Sequence, residues 1–280
     1  MPKTSSVARV KKLKPAIPLT LPEVLPGIHQ WLIVGLDPSL SRTGYALMSV
    51  TQSVLDAPIN HWLEVGSLKP ENASDPVWVR SKAMAIVLQR FIHSTINRLD
   101  RSEPTGLIIS MEAPTPRNDF LTSISRIFHL VLLDDELPKN FVHTFVQMTN
   151  ASTLRSLMGL TKTGAKNKVE NVAKAYEFLK AGGYPNLDTD ACDAVLMAMM
   201  ARYSAALLMG NPALVPERFL QRLCDGRQET TGKGLHRRTR AMGILHRPEY
   251  WCRYERQQYV VLLRDAKVKK ARLERWEVSI

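Results

Sequence analysis

The sequence predicts an α/β layered domain built on a mixed sheet of five strands, and three observations predict it. The run Trp31-Leu-Ile-Val-Gly-Leu36 is apolar without a break and short enough for a strand buried on both faces. A second such run, Leu107-Ile-Ile-Ser-Met111, also stops at a carboxylate, Glu112, as the first stops at Asp37. The order of elements is three strands, helix, strand, helix, strand, then helices. That order calls for a hairpin entry followed by crossover helices.

In order, residues 1–27 read as a disordered tail rich in Lys and Pro, without periodicity. Strand one ends at Asp37. Pro38, Ser39, Ser41 and Gly44 supply turn chemistry before Tyr45–Val50 returns as strand two. Strand three is 60–67. The loop 68–76 ends in Asp75-Pro76, an N-cap and first-turn pair for a helix from Val77 to about Leu99. Val79, Met84, Val87, Leu88, Phe91 and Ile92 recur there at helical spacing. Pro104 and Gly106 open strand four, and Ala113-Pro-Thr-Pro116 closes it. A helix over 119–133 carries Phe120, read as a core residue, and strand five covers 141–147. Three helices follow: 150–158, 167–181 after a Gly/Lys loop, and 187–208, which is dense in Ala and Met, with Asp188 as its N-cap.

The 280 residues suffice for one sizeable core with an appendage. No 18-residue apolar span and no signal-peptide core stand out, so a soluble protein with no membrane partner is expected. Three cysteines, Cys192, Cys224 and Cys252, fit a reducing cytoplasm better than a disulfide framework. The net charge of +12 is concentrated at the ends. Residues 1–14 hold five Lys/Arg and no acid, and residues 211–280 hold sixteen against eight acids. A near-neutral body with two basic ends points to a polyanion, and nucleic acid is the commonest.

The chemistry is in the acids. If strands one and four are parallel neighbours, Asp37 and Glu112 emerge at one sheet edge. Asp190 and Asp193, three apart at the start of the last core helix, share one face. Four converging carboxylates repel unless a hard cation lies among them, which suits Mg²⁺ or Mn²⁺ with waters and substrate phosphate. Two such ions can clamp both oxygens of a phosphodiester displacement.

These residues resemble a known family. Gly35-Leu-Asp37-Pro-Ser-Leu-Ser-Arg-Thr-Gly44-Tyr, the Glu112 that ends Ile-Ile-Ser-Met-Glu, and Asp190-Ala-Cys-Asp193-Ala are similar to the catalytic signatures of RuvC-type Holliday junction resolvases. Those enzymes belong to the ribonuclease H-like superfamily. The resemblance spans roughly 30–208, and places a nuclease domain at 28–210 between the basic tail and a basic extension over 211–280. It implies a ribonuclease H-like sheet with Asp37, Glu112, Asp190 and Asp193 as ligands of two Mg²⁺ ions. It also implies Lys166 as the catalytic lysine, Arg155, Lys162 and Lys168 as DNA contacts, and a homodimer that nicks four-way junctions. Hydrolysis would leave a 5′-phosphate and a 3′-hydroxyl. Ala-Pro-Thr-Pro after Glu112 departs from the bacterial pattern, and with the basic ends it implies a divergent member, phage or mobile-element encoded, acting in the host cytoplasm.

Two rival readings stay open. One is a DNA-binding protein of the same fold without catalysis. The other is an actin-like phosphotransferase, whose first phosphate loop resembles Gly-Leu-Asp-Pro-Ser-Leu-Ser, although no second phosphate loop follows. In the extension, Arg237, Arg238 and Arg240 form a basic cluster for phosphate contacts, with Trp251 and Tyr254 interleaved for stacking. Cys224, His236, His246 and Cys252 have gaps that match no compact zinc knuckle.

Overall fold

The computed structural model describes residues 17–39, 41–51, 62–97, 99, 104–113, 127–128, 131–132, 141–160, 165–179, 184, 186–231, 238–247 and 250–253. Its centre is a mixed sheet in the order β3-β2-β1-β4-β5-β8. The strands are β1 (Gln30–Asp37), β2 (Thr43–Thr51), β3 (Trp62–Leu68), β4 (Thr105–Glu112), β5 (His143–Thr149) and β8 (Trp251–Arg253). β1, β2 and β3 form an antiparallel meander, and β4 lies parallel to β1. β5 is parallel to β4, and β8 closes the far edge antiparallel to β5. The five expected strands are thus joined by a sixth, drawn from the C-terminal region.

The period of two in β1 divides the core. Leu32, Val34 and Leu36 face α1 (Val77–Ile96), where Met84, Leu88 and Ile92 receive them. Trp31 and Ile33 face the opposite layer. That layer holds α2 (Ala151–Met158), α3 (Ala165–Leu179), α4 (Thr189–Leu208) and α5 (Glu217–Cys224). α4 is long and apolar enough to cross a membrane by length and composition, contrary to the expectation that no such span exists. It is buried along almost its whole length between the sheet and the other helices, and that burial accounts for its composition.

The cap of α1 also differs from expectation. Pro76 occupies the cap position without a side-chain bond, while the Asp75 carboxylate accepts from the Asn72 amide at 2.8 Å. Only 127–128 and 131–132 of the expected helix over 119–133 are described; both pairs are helical, and Phe128 and Leu132 are buried. Phe120 lies outside the described residues.

Among the described residues, segments from both the N-terminal and the C-terminal regions pack on this body. Phe219 and Leu223 of α5, and Ile244 and Leu245, join the core under α4. Trp251 stacks on Phe145 with ring centroids 4.7 Å apart. Residues 17–27, assigned from sequence to the tail, are tied down. Thr20 N–H donates to the Cys224 carbonyl, Gly226 N–H to that of Pro18, and Leu25 N–H to that of Leu208. β6 (Gln228–Thr231) and β7 (Arg238–Ala241) form a separate antiparallel pair.

Candidate active site

Asp37 is the last residue of β1 and Glu112 the last of β4. The parallel register sets Leu36 beside Met111, so the next residue on each strand is one of these carboxylates at one sheet edge. The first turn of α4 meets the same edge, because two glycines let it. A Cβ on Gly44, the partner of Asp37 in the β1–β2 hairpin, would lie 1.9 Å from the Asp190 carbonyl oxygen. A Cβ on Gly35 would lie 2.2 Å from that of Ala194. Backbone contact at these two positions lowers Asp190 and Asp193 onto the strand ends.

Asp188 behaves as the N-cap the sequence predicts. It accepts from Ala191 N–H at 2.9 Å and from the Arg42 guanidinium at 2.8 Å, and Ser67 Oγ donates to it as well. Burial pushes its carboxyl up, but the bonds from Ser67, Ala191 and Arg42 outweigh that and hold it below the usual value.

The cluster has the opposite character. Burial, then the charges of Asp193, Glu112 and Asp190, raise the Asp37 carboxyl well above its ordinary value. Burial and the Asp193 charge raise Glu112. Burial pushes Asp193 to about 6, with Asp190 adding to it, while a 2.6 Å bond from Asn171 Nδ2 pulls the other way. Like charges brought together in a poorly hydrated place are what raise carboxyls in this manner.

Two helices supply the counter-charge. Lys168 and Asn171 lie one turn apart on α3; the Lys168 charge lowers both Asp37 and Asp193, and that of Arg155 on α2 lowers Asp193. Asn171 is the contact that sequence reasoning missed. Its signal was the three-residue spacing from Lys168, which puts both on one helix face. Lys166 is the second residue of α3, and its side chain falls outside the described set.

Lys162, His236 and Arg237 are outside it altogether, as is the side chain of Arg238 at the start of β7. Arg240 is described and is paired with Glu229 at 2.8 Å across β6 and β7. Cys224 is buried and Cys252 half-buried, and His246 Nε2 lies 2.7 Å from the Thr20 carbonyl oxygen. Among the described residues, no three His, Cys, Asp or Glu side chains stand close enough together to close on a metal ion.

No family model matches the sequence, and no curated protein does. Among solved structures, the chain is similar to RuvC of Thermus thermophilus in complex with Holliday junction substrate. The TM-score is 0.42 at 16% identity, over 64% of this chain and 96% of that one. It is similar to the yeast mitochondrial Holliday junction resolvase Ydc2 with a TM-score of 0.41 at 15% identity, over 68% of this chain and 87% of that one. At such TM-scores, what the site can do rests on this chain's own residues.

Proposed function

We propose that this chain is a Mg²⁺-dependent endonuclease that cuts branched DNA, four-way junctions foremost, at the carboxylate edge of its sheet. One observation carries the reading: three separate segments deliver four acids to one edge, and burial with mutual repulsion raises three of them. A fold does not need such an arrangement for stability, and raised carboxyls in a cluster mark functional sites. The donor set is all oxygen and anionic, which fits a hard divalent cation. A cation among Asp37, Glu112, Asp190 and Asp193 would offset their mutual repulsion.

When bound, two Mg²⁺ ions, or Mn²⁺ in their place, supply a water of lowered pKa and neutralise phosphate charge. The chain's own groups bind and orient. The Asn171 amide fixes the Asp193 carboxylate, and Lys168 and Arg155 attract the DNA backbone toward the acids. In this reading Lys166, the second residue of the same helix, supports charge developing on the scissile phosphate. The products are a 5′-phosphate and a 3′-hydroxyl. Two opposed nicks resolve a junction, so the working unit is a homodimer, and the compartment is the cytoplasm.

A second reading, a DNA-binding protein of this fold without catalysis, is favoured by the absence of a closed ligand set among the described residues. A labelled four-way junction, incubated with and without Mg²⁺, separates the two. We expect Mg²⁺-dependent cleavage that Asp37→Asn abolishes while junction binding in EDTA is kept, since affinity comes from Lys and Arg. Binding without cleavage of junctions, forks or flaps would establish the second reading. Cleavage at the wild-type rate by Asp37→Asn would show that the site is misplaced.

A further inference from the structure

α5 reads Glu-Arg-Phe-Leu-Gln-Arg-Leu-Cys, with Phe219, Leu223 and Cys224 buried. Arg218 and Arg222 are four residues apart and share a face, about 6 Å along the axis. That face lies along α2. Arg222 Nη2 is 3.4 Å from Thr153 Oγ1, in the first turn of α2. A Cβ on Gly159, just past the last turn of α2, would meet Arg218 Nη1 at 3.0 Å. The two helices therefore run antiparallel.

The start of α2 is fixed by the sheet. β5 ends at Thr149, paired with Glu112, so the first turn of α2 starts at the carboxylate edge. Arg155, within α2, already acts on Asp193. Arg222 and then Arg218 continue from there, one near the edge and one a turn beyond.

Among the described residues, no acid pairs with Arg222 or Arg218. α2 has none, and the one acid of α5, Glu217, is bonded by Gln221 at 2.8 Å. Asp225 is close enough to feel Arg222, but its ion pair is with Arg227 at 2.7 Å. Among the described residues, neither Arg218 nor Arg222 is in an ion pair. Both are held in place: the Arg218 guanidinium lies 5.5 Å from the centre of the Phe219 ring, and Arg222 rests on Thr153. A guanidinium ordered by packing and short of anions is suited to phosphate oxygens. Arg240, in the basic cluster that the sequence offered instead, is already paired with Glu229.

We propose that Arg155, Arg222 and Arg218 form a phosphate-binding track that holds the backbone of a DNA arm as it leaves the carboxylate edge. The proposal rests on the nuclease reading for the direction of the strand, but its test does not depend on cleavage.

The test is a salt titration of junction binding by fluorescence anisotropy in EDTA, using the full chain and the variant Arg218→Gln/Arg222→Gln. Glutamine keeps part of the stem that packs on Phe219 while removing the charge. Removing one phosphate-neutralising side chain lowers the slope of log affinity against log salt by about 0.9, so removing the pair lowers it by about 1.8. Between 50 and 200 mM salt, wild-type affinity then falls about twelvefold more than that of the variant. Arg218→Lys/Arg222→Lys, which keeps the charge, is expected to keep the slope. A Gln pair that unfolds like wild type and shows an unchanged slope overturns the track. So does a Lys pair whose slope falls as far as that of the Gln pair. If the slope falls in the Gln pair alone while wild type shows no Mg²⁺-dependent cleavage, the track stands and the nuclease reading fails.

Discussion

Asp188 and Asp193 are five residues apart, at the start of one helix and beside one sheet edge, yet they have opposite fates. Asp188 is met by Ser67, a backbone N–H and Arg42, and its carboxyl is held below the usual value. Asp193 is buried beside Asp190, and although the Asn171 amide and the charges of Lys168 and Arg155 pull the other way, its carboxyl rises to about 6. Asp188 satisfies the helix end and ties it to β3 through Ser67 and to the start of β2 through Arg42. Asp193 adds to a concentration of charge that the bare fold resists. Charge near a helix start is therefore not informative by itself; what separates a cap from a site is whether bonds from donors outweigh burial and neighbouring acids.

The largest expected effect breaks both corners together. Gly44→Ala places a methyl group against the Asp190 carbonyl, a backbone atom that cannot rotate away. The first turn of α4 has to lift by an ångström or more, taking Asp188 away from Arg42 and Ser67 and Asp190 and Asp193 away from Asp37. Overpacking of this kind costs about 3 kcal/mol. Urea unfolding should show it as a lower midpoint, and Mg²⁺-dependent cleavage should be lost with it. An unchanged midpoint would mean that the close approach of helix and strand does not set the site.

A pH series sharpens the comparison, because the two carboxyls are shifted in opposite senses. The folded-state pKa of Asp193 is raised, so the stability it lends is full below the unfolded value near 3.9 and is lost as pH rises to about 6. That of Asp188 is lowered, so its stabilising share is present above the unfolded value and lost as pH falls through the folded one. Asp193→Asn should therefore gain on wild type between about pH 4 and 6, by on the order of 2 kcal/mol in metal-free buffer. Thermal unfolding across that range, in EDTA, reads the gain. A flat difference between the two proteins would show that neither burial nor the charge of Asp190 raises Asp193.

Much of this was legible in the sequence, for identifiable reasons. The unbroken run of β1 and the turn residues after Asp37 fix the hairpin, and the two strands ending in acids fix the edge. Asp188 was readable as a cap because capping is local. Asp75 was misread by the same rule: Pro76 took the cap position, and Asn72 took the carboxylate. What stayed hidden was long-range. β8 pairs with β5 across about a hundred residues of chain, and the arm around Thr20 binds strand and helix ends near residue 224. Neither segment carries a periodicity that names its partner. Asn171 was passed over because a single amide on a helix has no meaning until Asp193 stands opposite it. The two charged ends drew attention to Lys/Arg runs, whereas Arg218 and Arg222 are isolated in sequence and gathered only by their helix.

The smallest expected effect tests the quiet corner alone. Asp188→Ala removes the acceptor for Ala191 N–H, the partner of Arg42 and the bond from Ser67. Loss of an N-cap costs about 1 kcal/mol. The ion pair adds little, since both side chains keep about a third or a quarter of their surface in water. The helix remains seated by Gly35 and Gly44 and by the apolar residues behind them, so Asp190 and Asp193 stay over the strand ends. Asp188→Ala should thus unfold at slightly lower urea and retain cleavage, whereas Asp37→Asn should keep its stability or gain some and lose cleavage. Measuring both quantities for both variants places them in opposite quadrants. If Asp188→Ala abolished cleavage with little change in stability, the division between a capping acid and a working cluster would fall, and Asp188 would have to be counted among the acids that act on substrate.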